Sequence, residues 1–420
     1  MDMMKEQALT SLPFDVEQEK GSDNEKGSDI CESKKSREDE VVSGDAEEMN
    51  KSSKWAELPK DTMLNIAGRL AIAEYVRVGA VCTQWRSNTT PKPCILPIQS
   101  PWLMVTNQES TSNYSFFCMS TDRTYTLHIP ELLTAQCCTT SHGFLVLLDN
   151  TNSSITLLNP LTRARFSLPS TTSFPISIST KTYDLEKIVL SSSPTLDEEP
   201  TIALALVSNQ LAFSRLEDET WTLINNLKAS FTDAIYFNDE FHVIDTHGVV
   251  TRLKFGTGTN VGVSINTMQM HKHSGLKYLV RSGDRLLMVN KIRHDCDPGT
   301  HAPCETINFE VCGQCEIRDK KYWVQVHGLS GFSLFLGANY SMSFRADEIA
   351  GMRRNCIYFT DDYRWTHKHG SGERGCRVCG INDAGIFRMR DEYFDELPGG
   401  VDLFDGFVWP TPKWFMPSLV

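Results

Sequence analysis

His367, His369, Cys376 and Cys379 have the types and spacing that could hold a metal. The pattern His-x-His-x6-Cys-x2-Cys lies in a Gly-rich stretch and offers the four nitrogen and sulfur ligands that tetrahedral zinc takes. Against a finger-type site, the two histidines are closer together than a finger helix requires. The stretch reads equally well as a solvated excursion between strands. Cys312 and Cys315 repeat the Cys-x2-Cys spacing, but FEVCGQC reads as a strand running into a turn, and isolated pairs often lack partners. No cofactor is expected. Asp361 and Asp362 offer two carboxylates, yet neighbours on a strand point to opposite faces, so the pair cannot flank one bond without a bend. The chain has no Gly-x-Ser-x-Gly elbow, Walker loop or His-Glu-x-x-His helix, so no motif supports catalysis.

Composition narrows the classes further. The 13 cysteines are odd in number and scattered, which predicts reduced thiols and not a disulfide framework; Cys137 and Cys138 read as ordinary buried thiols. The net charge of −12 argues against a nucleic-acid binder. Residues 1–53 hold 15 acidic against 7 basic residues, so most of that charge lies in one segment. With few aromatics and the low-complexity EKGSDNEKGSD at 19–29, this segment is expected to be a disordered acidic tail. Lys34, Lys35 and Arg37 read as a solvated charge run. Nothing resembles a signal peptide or a bilayer span, so an intracellular protein of the nucleus and/or cytoplasm is expected.

Positioning elements are legible next. In residues 54–92, Pro59 suits a helix start, and Met63, Leu64, Ile66, Ala67 and Leu70 recur at helical spacing. A second helix is expected from Ala73 to Gly79 and a third from Ala80, carrying Val81, Cys82 and Trp85 on one face. Roughly thirty residues cannot bury enough surface to be stable alone, so the apolar stripe needs a partner. From residue 93 to 420 the pattern changes to alternating strands and polar turns. Examples are 116–129, 143–160, 234–255 and 309–326. Repeated four-stranded units of roughly 40–50 residues predict a mostly β fold, a β-propeller-like repeat domain, with a large sandwich as the alternative.

These two parts resemble one family. Leu58-Pro59, Leu64, Ile66, Arg69-Leu70, Val81-Cys82 and Trp85-Arg86 match the pattern of an F-box, with its usual acidic residue displaced to Glu74. PWLMV at 101–105, SHGFLVLLD at 141–149, LLNPLTRARFSLP at 157–169, DAIYFNDEFHVID at 233–245 and NCIYFTDDY at 355–363 resemble landmarks of a plant F-box family. Its C-terminal part is a kelch-related, propeller-like domain of unknown function (number 295). The resemblance implies a three-helix F-box and places Pro160 and Thr162 in a turn between strands. It further implies that Leu58, Pro59, Ile66, Leu70, Val81, Cys82 and Trp85 dock a Skp-type adaptor, and through it a cullin-RING ubiquitin ligase. The chain would then be a non-catalytic substrate receptor of an SCF-type ligase, binding a protein target and neither nucleic acid nor membrane. The alternative is a ligand-binding or enzymatic propeller on which the helices are only a cap. Target contacts are expected in the stretches 107–114, 256–275, 294–306 and 364–377, because loops on rigid scaffolds commonly carry recognition. The aromatic C-terminal segment with Trp409, Trp414 and Phe415 is expected to close the last blade.

Overall fold

Short β-branched and aromatic runs, separated by Gly, Asn and Asp, pair with their nearest neighbours in sequence, and this local pairing repeats six times. A computed structural model describes residues 58–89, 96–105, 112–149, 151–175, 185–194, 200–207, 209–225, 227, 229–256, 261–266, 275–294, 305–317, 320–360, 383–398 and 412–419. The described residues fall into two compact units that divide between Pro97 and Ile98.

In the helical unit, α1 (Lys60–Ala67), α2 (Ile72–Val81) and α3 (Thr83–Asn88) are all short. The expected break at Gly79 does not occur, and Ala80 and Val81 belong to α2. Glycine serves close approach there. A Cβ on Gly79 would stand 3.1 Å from Thr89 Oγ1, and Arg86 Nε donates to the Gly79 carbonyl at 3.1 Å. Cys82 is the residue that ends α2: its backbone is extended, and its sulfur accepts from the Trp85 amide at 3.4 Å to cap α3.

The β unit is built from antiparallel sheets in chain order. The first contains β1 (Trp102–Val105), β2 (Asn113–Cys118) and β3 (Arg123–His128). The second contains β4 (Ala135–Ser141), β5 (Phe144–Asp149), β6 (Ile155–Leu158) and β7 (Arg165–Leu168). In its β6–β7 turn, Asn159 Oδ1 accepts from the amides of Leu161 and Thr162, which explains the turn around Pro160. β8 (Leu185–Leu190), β9 (Ile202–Val207), β10 (Gln210–Arg215) and β11 (Thr222–Leu223) form the third. The fourth has β12 (Phe231–Phe237), β13 (Glu240–Asp245), β14 (Val250–Phe255) and β15 (Val261–Asn266). In the fifth are β16 (Leu276–Ser282), β17 (Arg285–Arg293), β18 (Thr306–Ile317) and β19 (Lys320–Gln325). The sixth has five strands: β20 (Phe332–Leu336), β21 (Met342–Arg345), β22 (Cys356–Phe359), β23 (Gly385–Arg388) and β24 (Tyr393–Asp395). β20 pairs with β22 in parallel. Together these sheets are the blades of a six-bladed β-propeller.

The apolar core is a set of layers between neighbouring blades. Phe144 and Leu157 pack with Ile188 and Ala205; Leu204 and Phe213 pack with Phe241 and Leu253; Ile244 packs with Leu279 and Met288; Val289 and Val311 pack with Leu334 and Phe359. The ring closes where Leu103 of the first blade meets Phe335 and Tyr358 of the last around Trp414. Trp414 belongs to β25 (Lys413–Phe415), which pairs with β1 through Leu103↔Trp414 and Trp102↔Phe415. The C-terminal segment therefore completes the first blade, where closure of the last was expected. The reason is that a strand donated from one end of the chain to the sheet at the other end ties both ends of the ring together. Thr140 Oγ1 donates to the Trp414 carbonyl at 2.6 Å, Trp414 Nε1 to the Leu336 carbonyl at 3.1 Å, and Asn159 Nδ2 to the Ser418 carbonyl at 2.9 Å. Gly143 (φ +82°) lets this tail pass, since a Cβ there would lie 2.5 Å from Ser418 Cβ.

Candidate functional site

Within the helical unit, helical periodicity sorts the apolar residues into two sets. Met63, Ala67, Ile72, Ala73 and Tyr75 are buried, whereas Ile66 is 40% and Val81 61% exposed. Leu58, Leu70, Cys82 and Trp85 are half-buried and Pro59 is exposed. The expected stripe of Met63, Leu64, Ile66, Ala67 and Leu70 is thus not a single buried face. Leu70 lies beyond the end of α1, and Ile66 is exposed although it stands one turn from Met63. The unit presents large apolar side chains to solvent in a region too small to afford them a core of its own.

One turn of the sixth blade is tied to the second and the fourth. The turn between β20 and β21 carries Tyr340, whose amide donates to the Thr140 carbonyl at 2.9 Å and whose hydroxyl donates to the Tyr236 carbonyl at 3.3 Å. Its ring lies 5.1 Å from that of His142. Burial, together with nearby Asp233, raises the Tyr340 pKa, so the phenol remains a donor. Asp233 joins four blades. Its Oδ1 pairs with Lys187 and accepts from the Ala234 amide at 2.8 Å; its Oδ2 accepts from the Leu279 amide at 2.9 Å and Ser341 Oγ at 3.2 Å.

A second buried charge cluster joins the fifth and sixth blades. Asp383 Oδ2 lies 3.2 Å from Lys291 Nζ and 3.4 Å from Arg293 Nη2, and Asp383 accepts from the Thr306 amide at 2.7 Å and hydroxyl at 2.9 Å. Burial by itself would raise the Asp383 pKa; Lys291, Arg293 and Thr306 more than offset it, and the carboxyl is held below its usual range. These are structural links, and no local pattern announced them. Asp233 and Asp383 are single acids in apolar runs, and their partners in other blades lie 46 or more positions away.

His142 shows what burying a titratable ring costs. It sits at φ +49° in the β4–β5 hairpin, with Ser141 Oγ 3.0 Å from its Nδ1, and burial pushes its pKa down to about 4. The unfolded chain takes up this proton near pH 6.5, the folded one only near 4. Stability contributed by the neutral imidazole is therefore present above about pH 6.5 and is lost as pH falls toward 4, by up to roughly 3 kcal/mol. Urea midpoints at pH 7 and pH 4.5 should show this loss, and His142→Asn, which tolerates positive φ, should reduce it.

The sequence-predicted metal ligands His367, His369, Cys376 and Cys379, the acids Asp361 and Asp362, and Trp409 lie outside the described residues. Cys312 and Cys315 do not form a site. β18 continues through both, where a turn was expected, and an odd spacing on a strand sends the thiols to opposite faces. Burial raises the Cys312 pKa to about 11, which leaves it an inert thiol. Among the described residues no group of three or more His, Cys, Asp or Glu is placed to hold a metal. Among them no helix is long and apolar enough to cross a membrane.

The geometry defines a class: a six-bladed β-propeller, closed by its C-terminal strand, in a chain that also carries a small helical unit. The chain belongs to the KIB1-4 beta-propeller family, whose model matches residues 114–388. It is similar to F-box protein SKIP23 of Arabidopsis thaliana, at 23% identity over 86% of this chain and 95% of that protein. A putative F-box/kelch-repeat protein of the same plant, At5g24040, is 30% identical over 45% of this chain and 50% of its own. Among solved structures, the N-terminal domain of Nup159 has 9% identity and a TM-score of 0.32, with 71% of this chain and 76% of that one covered.

Proposed function

We propose that the chain is the substrate receptor of an SCF-type ubiquitin ligase. Residues 54–92 act as a three-helix F-box that docks a Skp-type adaptor, and the propeller, within 93–420, holds a protein target. The observation that carries this reading is the exposure of Ile66 and Val81 in a helical unit that buries Met63, Ala67, Ile72, Ala73 and Tyr75. Both belong to the set Leu58, Pro59, Ile66, Leu70, Val81, Cys82 and Trp85 that matches the F-box pattern. The F-box names of the Arabidopsis relatives support it, and the kelch-repeat name of one supports a kelch-related origin for the blades. Catalysis is not the chain's own part. It raises the local concentration of target lysines beside a separate enzyme, in the nucleus and/or cytoplasm.

Co-purification of the full chain with a Skp-type adaptor tests the reading. Trp85→Ala or a combined Leu58/Pro59 substitution should lower adaptor recovery about tenfold or more, as loss of a hot-spot side chain does. A well-folded wild-type chain that fails to bind any adaptor would sink it.

A further inference from the structure

The fifth blade has an uncovered apolar edge. Register places Leu287 opposite Gly313 and Gly313 opposite Val324, with Cys315 opposite Tyr322, so these residues and Arg285 share one face of the sheet. Toward one end this face is buried against the sixth blade through Val289 and Val311. Toward the other it opens: Tyr322 is 38% and Val324 48% exposed, and Arg285 is exposed. Gly313 provides a shallow dip, and the Arg285 guanidinium lies over it, with Nη2 2.7 Å from where a Cβ would stand. β19 is the outermost strand of its sheet.

We propose that this edge binds an extended peptide of a protein target. Apolar side chains two residues apart would seat against Tyr322 and Val324, with an acidic side chain paired to Arg285. The spacing fits, because alternate residues of a strand and of an extended peptide both repeat at about 6.6–6.8 Å. The backbone fits too. β19 is six residues long, as are the outermost strands β3 and β15 of the first and fourth sheets, and an outermost strand of this length can accept an added strand. Charge selects the acid: no carboxylate among the described residues pairs with Arg285, and a guanidinium matches a carboxylate in bidentate geometry. Tyr322 supplies the rigid aromatic contact that tends to dominate interface energy.

The inference takes only the source of the peptide from the receptor reading, and binding is measured independently of it. The purified full chain is used to select from a phage-displayed library of random ten-residue peptides. Enriched peptides should carry two apolar residues and one acidic residue at alternate positions, i, i+2 and i+4, so that all three side chains meet the same face. Their affinity should fall about tenfold or more on Arg285→Glu and on Val324→Lys. Replacing the peptide acids by lysine should restore binding to the Arg285→Glu chain, a readout that a merely structural role of Arg285 would not move. The proposal is overturned if no peptide is enriched, or if enriched peptides bind both variants as they bind wild type. It is also overturned if sedimentation shows that the wild-type chain pairs with itself through this edge and the Val324→Lys chain does not. Adaptor binding, measured on the same preparations, reports separately on the receptor reading.

Discussion

Chains ending at Gly406 are expected to lose the closed propeller. The deletion removes β25, and with it Trp414 and Phe415, both fully buried. It uncovers Leu103, Phe335 and Tyr358 at the junction of the first and last blades and leaves the β1 edge unpaired. Truncating one buried Phe or Trp to Ala costs roughly 3–5 kcal/mol. Losing both, plus the ties from Thr140, Leu336 and Asn159, therefore approaches the whole stability of a typical domain, about 5–15 kcal/mol. Thermal unfolding should lose its cooperative transition and the chain should bind hydrophobic dyes. A soluble truncated chain with an unchanged midpoint would show that closure lies elsewhere. Trp414→Ala, a milder version, should cost about 3–5 kcal/mol and keep the fold.

The second large effect is expected at Asp233, which four blades share. Asp233→Ala should destabilise the propeller by roughly 3–5 kcal/mol, because it leaves the Lys187 ammonium buried without its partner. It also strips acceptors from the Leu279 amide and Ser341 hydroxyl, which belong to two further blades. Adding Lys187→Met should recover part of the loss, since a buried pair removed together costs less than one partner removed alone. Urea unfolding of the two single variants and the double one measures the coupling. A loss at Asp233→Ala within about 1 kcal/mol would mean that water reaches the site and solvates Lys187.

Some of the molecule was readable because its information is local. Hairpins such as 116–129 and 143–160 pair adjacent runs through short polar turns, so alternation and turn residues specify them without knowledge of the rest. The Cys-x2-Cys pair at 312 and 315 was misread because FEVCGQC contains a Gly and polar residues that locally resemble a turn. In the sheet, Gly313 gives room to Arg285, and pairing with both β17 and β19 carries the strand onward. Gly79 misled in the same way: α2 continues through it because its missing side chain admits Thr89. Blade number and ring closure had no local signal, since they depend on which sheet the last strand joins.

By itself the sequence determined the strand-and-turn repeat, the short amphipathic helices and the absence of known catalytic motifs. Each follows from spacing within a few residues. Tertiary structure decided that there are six blades, that β25 joins β1, and that Tyr340 ties the sixth blade to the second and fourth. It also decided that Asp233 binds four blades together. Those outcomes rest on contacts between residues tens to hundreds of positions apart. Their partners are selected by ring geometry and by the cost of burying charge unpaired, neither of which leaves a local pattern in the chain.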